Sequence, residues 1–167
     1  MNFFERIRGT KKRKEAQESG IIYSPLKGTV IPLKEIPDPV FAEGILGFGC
    51  GIQPTSEMVY APFDGAIVQV SDTKHAVGLK SADGTEVLIH VGIDTVNLQG
   101  KYFTPKVKAG SRVEAGELLL EFDLQAIAEE GYDTVIPIIV TNTPNYRDVE
   151  LTTCGQKKAG ENLLGLV

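Results

Sequence analysis

Glycine and proline punctuate this chain from Ile21 onward, and that punctuation narrows the folds open to it more than any other feature. Sixteen of the eighteen glycines and all nine prolines lie there and cut it into short apolar runs rich in valine and isoleucine, residues that fit a pleated, half-buried surface. The pattern also recurs. Ser24-Pro-Leu-Lys-Gly-Thr-Val-Ile-Pro-Leu33 matches Ala61-Pro-Phe-Asp-Gly-Ala-Ile-Val-Gln-Val70 in residue type. Each copy runs from a small residue and proline through a bulky apolar residue, a charge and glycine into an apolar stretch. Each therefore reads as a turn feeding a strand, and the spacing predicts a β-sandwich or barrel built from two related halves.

Helical signals are few. Asp38 as N-cap with Pro39 at the first helical position predicts a short helical turn. The connection around it, residues 37–49, carries Val40, Phe41, Ile45, Leu46 and Phe48, which suits either a loop packed on the core or an exposed docking patch. A second helix is expected over Asp123 to Glu130, capped by Asp123 and stopped at Gly131. Val107 to Leu118 reads as two strand ends around glycine turns. Val135 to Thr141 reads as a strand, with Pro137 arguing for a sheet edge or a bulge.

A chain of 167 residues, 42% hydrophobic and 23% charged, has the size and make-up of one globular domain. No apolar run approaches the roughly 18 residues that span a bilayer, and Met-Asn-Phe-Phe-Glu-Arg-Ile-Arg is not a secretion signal. A cytoplasmic monomer is the expectation, with Cys50 and Cys154 as free thiols. The charge is uneven. Residues 1–20 hold Arg6, Arg8, Lys11, Lys12, Arg13 and Lys14 against Glu5, Glu15 and Glu18. They read as a flexible, basic, amphipathic tail, with Phe3, Phe4 and Ile7 at helical spacing, suited to touching an anionic membrane surface. Residues 21–167 hold the remaining eleven basic and nineteen acidic residues. An acidic body argues against nucleic acid and for a basic protein partner.

The chemistry must centre on two histidines, for there are no others. His90 lies in Thr85-Glu-Val-Leu-Ile-His-Val-Gly-Ile-Asp94, where alternation puts Val87, Ile89 and Val91 on one face and Leu88, His90 and Gly92 on the other. Gly92 is expected to leave open space beside the ring. His75 lies in a second strand-like run, and the Asp83-Gly84 turn predicts that the two pair as a hairpin whose rings share one face. Thr73, two residues before His75, falls on its face of the strand and can orient it by hydrogen bonding a ring nitrogen, while alternation points Lys74 away. A neutral imidazole is a good nucleophile toward phosphorus and leaves readily, so such a pair suits relay of a phosphoryl group.

Thr73-Lys-His75 followed by Leu88-Ile-His-Val-Gly-Ile-Asp-Thr-Val96, with Pro39-Val-Phe-Ala-Glu43 and Ala61-Pro-Phe-Asp-Gly65, resembles the glucose-family enzyme IIA of the bacterial phosphoenolpyruvate:sugar phosphotransferase system. The likeness runs in order from about Ile22 almost to the C-terminus. It implies an all-β, antiparallel sandwich of a duplicated hybrid motif with only short helical turns. It implies that His90 receives phosphate from the carrier protein HPr and passes it to a cysteine of an enzyme IIB domain on a sugar permease. No cofactor is then needed beyond covalent phosphate on His90. By the same carry-over His75 hydrogen-bonds the phosphoryl group, Thr73 orients His75, and the Gly92 carbonyl fixes the His90 tautomer. Val40, Phe41, Ile45, Leu46 and Val96, edged by Asp38 and Asp94, resemble the surface on which partners dock. Where several relatives carry aromatics this chain has Ser71 and Leu88, which implies a smaller patch.

Three other readings compete. A biotinyl- or lipoyl-carrier domain uses similar turns, but Met1 and Met58 are the only methionines and neither adjoins a lysine. A zinc-dependent hydrolase would use His75, His90 and Asp94, and zinc shared by the two histidines with a partner's carboxylate is a variant of that idea. A purely structural adaptor is the third.

Overall fold

The computed structural model describes residues 20–167, so the proposed basic tail, apart from Gly20, lies outside the described residues. Three strands come first, β1 (Ile21–Tyr23), β2 (Gly28–Pro32) and β3 (Phe48–Pro54). A run of seven follows: β4 (Met58–Tyr60), β5 (Gly65–Val70), β6 (Ala76–Ser81), β7 (Glu86–His90), β8 (Phe103–Pro105), β9 (Arg112–Val113) and β10 (Leu118–Phe122). The last four are β11 (Ile136–Val140), β12 (Val149–Leu151), β13 (Gly155–Lys157) and β14 (Asn162–Leu166). All pairings among them are antiparallel. The helices are α1 (Pro39–Ala42) and α2 (Leu124–Glu129), with three single-turn 3-10 segments.

The duplication suggested by two ten-residue stretches extends through the whole fold. One sheet has eight strands in the order β13-β2-β3-β11-β7-β6-β5-β9, and two have three, β1-β14-β12 and β4-β10-β8. The second half of the molecule is β4 to β10; the first is β1 to β3 together with β11 to β14. Their registers correspond. Gly28 pairs with Lys157 as Gly65 pairs with Val113, and Tyr23 pairs with Asn162 as Tyr60 pairs with Leu118. The halves also exchange hydrogen bonds reciprocally: the Tyr23 N–H donates to the Pro62 carbonyl (3.0 Å), and the Tyr60 N–H donates to the Pro25 carbonyl (2.7 Å). Behind each copy sits the same turn, Glu114-Ala-Gly-Glu117 or Lys158-Ala-Gly-Glu161, whose final glutamate accepts from its own first N–H. Prolines 25 and 62 fall where the chain needs a carbonyl acceptor and not a donor, which is why the echo begins with proline.

Both faces of the eight-stranded sheet are covered near its centre. The inner face carries Val30, Ile52, Ile67, Leu79, Val87, Ile89, Ile136 and Ile138, packed with Leu119, Leu120, Leu163 and Leu164 of the small sheets. A second cluster lies on the outer face: Leu33, Ile36, Phe41, Ile93, Val135 and Ile139. It exists because residues 33–46 fold back over β3. Asp38 Oδ1 accepts from the Val40 N–H (2.9 Å), so Asp38 caps α1 as expected, with Pro39 at its first position. Glycines make the close approach feasible. A Cβ on Gly51 would lie 3.0 Å from the Ile36 side chain, and one on Gly49 would lie 1.8 Å from the Ile138 carbonyl oxygen.

Helix α2 forms where expected, with Asp123 Oδ1 accepting from the Ala126 N–H (3.0 Å) and Gly131 turning the chain at φ +95°. One expectation fails. Pro137 is at neither an edge nor a bulge: β11 is an interior strand, in unbroken register with β3. Proline is tolerated there because pairing with β7 begins only at Ile138, opposite Ile89. The N–H that Pro137 lacks belongs to a position β7 does not bond.

Replacing Gly49 by alanine forces backbone apart in the middle of the large sheet. Gly49→Ala should cost at least about 2 kcal/mol, read as a lowered midpoint in urea. Gly165→Ala, where a Cβ meets nothing within 4 Å, should leave the midpoint nearly unchanged.

Candidate functional site

The two histidines meet where the β6–β7 hairpin runs out. The register pairs Ala76, not His75, with His90, so the rings do not sit on one face in the manner alternation predicts. His90 ends β7 on the outer face. His75 precedes β6, its carbonyl still accepting from the Val91 N–H (2.8 Å), and its ring lies at the margin of the inner core, 6.4 Å from the Phe103 ring. From opposite sides of the sheet's end the rings come edge to face, centroids 4.6 Å apart and planes at 84°. Phe41 packs beside His90 at 5.1 Å between ring centres.

Backbone geometry makes the meeting feasible. Among the described residues four that are not glycine adopt left-handed backbone, Lys74, Asp94, Gln99 and Tyr102, with φ between 55° and 75°. All four lie in the two loops beside the histidines. Each such residue costs about 1–2 kcal/mol, so the loops are held by their surroundings, as is common at functional sites.

Each ring is fixed through Nδ1. His90 Nδ1–H donates to the Gly92 carbonyl (2.8 Å), which leaves the lone pair of the neutral ring on Nε2. Gly92 is buried at φ +83°, and a Cβ there would meet the Thr95 side chain at 2.5 Å and the Asp133 carbonyl at 3.2 Å. The expected open space is therefore filled, and glycine is needed for its backbone angle and the tight fit. His75 Nδ1 lies 2.8 Å from Thr73 Oγ1 and 3.3 Å from Ser71 Oγ. Thr73 reaches the ring across a turn and not along a strand, because the left-handed Lys74 folds the chain back. Ser71 was not expected on His75; the signal for it is a hydroxyl four residues before the histidine, legible only once the turn is known.

Burial pushes His75 down to about 4, the neighbouring His90 adds to the shift, and the Thr73 backbone carbonyl opposes it. Burial also holds His90 below the ordinary imidazole value; the Gly92 carbonyl, Asp38 and Asp94 work against that shift. At neutral pH both rings are uncharged, the state in which a ring nitrogen can attack.

Around the site Ile45 (66% exposed), Val96, Val40 and Leu46 stand out to solvent, together with Phe48. Phe41 does not belong with them. It is buried at 5% exposure in the outer-face cluster, since the cap on α1 turns it inward under His90. Gly92 is likewise buried and acts on His90 instead of presenting itself to a partner. Asp38 is half-buried in its capping role, while Asp94 is exposed at the turn after β7. Among the described residues no group of three or more His, Cys, Asp or Glu side chains could hold a metal ion. The zinc hydrolase reading thus has no geometric support. No helix of the described residues is long and apolar enough to cross a membrane.

A family model for the phosphoenolpyruvate-dependent sugar phosphotransferase system, EIIA 1, matches residues 20–146. The chain belongs to this family. It is 41% identical over 165 residues to the glucose-specific EIIA component of Halalkalibacterium halodurans, covering 96% of this chain and 95% of that one. It is 49% identical over 146 residues to the beta-glucoside-specific EIIBCA component of Dickeya chrysanthemi, which takes in 87% of this chain but only 23% of that much longer protein. Among solved structures the glucose permease IIA from Mycoplasma capricolum superposes with a TM-score of 0.81 at 37% identity, covering 86% of this chain and 93% of that one. The protein is accordingly an EIIA-type phosphotransferase component that acts as a phosphocarrier in sugar uptake, on the antiparallel β fold expected.

The depressed His75 value has a consequence for stability. An unfolded chain protonates this ring near its ordinary 6.5, the folded one only near 4. Stability is therefore full above about pH 6.5 and lost as the pH falls through that window. Between pH 7 and 4.5 the protein should lose about 2 kcal/mol more than the His75→Gln variant, measured by chemical denaturation at each pH.

Proposed function

We propose that His90 is the phosphoacceptor, taking a phosphoryl group from the phosphohistidine of HPr and giving it to a cysteine of an enzyme IIB domain. The observation that carries this reading is the Nδ1–H bond to the Gly92 carbonyl, which leaves Nε2 as the nucleophilic atom. In the first transfer the Nε2 lone pair forms a P–N bond as the donor's P–N bond breaks. In the second, the thiolate forms a P–S bond and His90 returns as a neutral imidazole. The proton stays on Nδ1, hydrogen-bonded to the Gly92 carbonyl throughout, so neither transfer needs a separate base.

His75 serves the transferred group. With the Thr73 hydroxyl donating to its Nδ1, the proton of the neutral ring sits on Nε2, where it can donate to a phosphoryl oxygen. Val40, Ile45, Leu46 and Val96 form the docking rim, able to meet partners of different fold because apolar contact demands no particular hydrogen-bond pattern. Asp38 and Asp94 supply negative charge for basic partners. The names of relatives in which an EIIA segment accompanies B and C components in one protein support an IIB acceptor. On this reading the protein works in the cytoplasm, beside the permease's phosphate-accepting side.

Incubation with phosphoenolpyruvate, enzyme I and HPr should place one acid-labile phosphate on the wild type and none on His90→Ala. His75→Ala should slow transfer by about a hundredfold without moving the label; label retained by His90→Ala sinks the assignment. Ile45→Lys should raise the KM for phospho-HPr several-fold and leave thermal stability unchanged, as measured by steady-state transfer and melting.

A further inference from the structure

Ser71 is tied to Ala76 twice. Its N–H donates to the Ala76 carbonyl (3.0 Å), and its Oγ accepts from the Ala76 N–H (3.1 Å). A serine hydroxyl has one proton and two lone pairs. With one lone pair taken by a backbone amide, the hydroxyl proton is directed elsewhere, and the acceptor within reach is His75 Nδ1 at 3.3 Å. Thr73 Oγ1 approaches the same nitrogen at 2.8 Å. An imidazole nitrogen carries either one proton or one lone pair, so with the ring proton on Nε2 the two hydroxyls converge on Nδ1 as a single acceptor. The longer contact is the weaker one in the intact site. It becomes the stronger when the other is withdrawn, because Ser71 is held by the backbone of β6 independently of Thr73.

We propose that Ser71 is a second positioning residue for His75, its hydroxyl sharing Nδ1 with Thr73 so that the ring proton is kept on Nε2. Only the last consequence, donation from Nε2 to a phosphoryl group on His90, rests on the phosphoacceptor reading above. The arrangement gives the site a redundancy. Loss of either hydroxyl leaves one donor on Nδ1; loss of both frees the ring to exchange tautomers and to turn.

The test is long-range proton–nitrogen correlation on protein with 15N-labelled histidine, at neutral pH, alongside the transfer assay. The wild type, Thr73→Val and Ser71→Ala should each show His75 with its proton on Nε2. Thr73→Val combined with Ser71→Ala should show mixed tautomers, and its transfer rate should fall about fivefold below the product of the two single effects. Ser71→Thr in the Thr73→Val background keeps the hydroxyl and should show the single tautomer that the double variant loses. Thr73→Val alone giving the tautomer mixture of the double variant overturns the proposal, as does a double variant that keeps the proton on Nε2. Transfer surviving in His90→Ala while the tautomer pattern holds would overturn the phosphoacceptor reading and leave the placement of Ser71 intact.

Discussion

The site depends on where β7 stops. Inside the large sheet β7 is paired on both sides, to β6 and to β11, and a strand so held fixes its side chains within a narrow range. Continuing the register of Ile89 with Ile138 by one residue puts His90 across from Pro137. Proline has no N–H to offer, so β7 is free to leave the sheet at that point. The chain turns through Gly92, whose N–H finds the Val135 carbonyl (3.1 Å) and whose own carbonyl turns back to His90. One missing donor in β11 thus shapes the bond that sets the tautomer of His90.

The duplicated halves carry unequal chemistry. In their shared register, Ser81 pairs with Gly65 as Pro54 pairs with Gly28, which aligns β6 with β3 and Ala76 with Gly49. The residue before each is His75 in one half and Phe48 in the other. Ala76 pairs with His90 as Gly49 pairs with Ile139. Both histidines therefore have apolar counterparts. Phe48 is exposed beside the proposed docking rim, and Ile139 is buried beneath residues 33–46. One half of the repeat provides both histidines, and the segment inserted after β2 in the other half packs beside them. That insertion supplies Phe41 under His90, and Val40, Ile45 and Leu46 at the rim.

Much of this was legible in the residues, and the failures have physical causes. The Pro-to-Gly echo marked the repeat because its prolines and glycines answer backbone demands that recur in both halves. The Asp38 and Asp123 caps were readable because a cap is a local contact. The hairpin was readable, but not its register, because a one-residue offset depends on the turn and on pairing elsewhere. Thr73 was placed on His75 by strand alternation, whereas the contact arises from a left-handed Lys74 that no propensity signals. Phe41 suited either core or surface in an apolar connection, and the family resemblance put it on the docking surface. Only the fold of α1 back onto β3, permitted by Gly49 and Gly51, shows that it is core.

With His90 as the proposed phosphoacceptor, the electrostatics around the pair favour passage over storage. A phosphoryl group on nitrogen brings about −1.5 to −2 charges, and the charged groups that act on His90 are Asp38 and Asp94, both of the wrong sign to hold it. The nearby cation, Lys74, is exposed and directs its stem over Gly100, a Cβ on which would meet it at 3.6 Å. The group is left to a neutral imidazole donor in a site shielded by Phe41 and Phe103. Such a donor stabilises the transferring oxygens without matching their full charge, so the bound state is not made a trap. Shielding slows loss of the group to water, and the two aspartates that disfavour the loaded state also attract a cationic partner. The same two charges therefore raise the tendency to give up phosphate and the chance that an acceptor is present to take it.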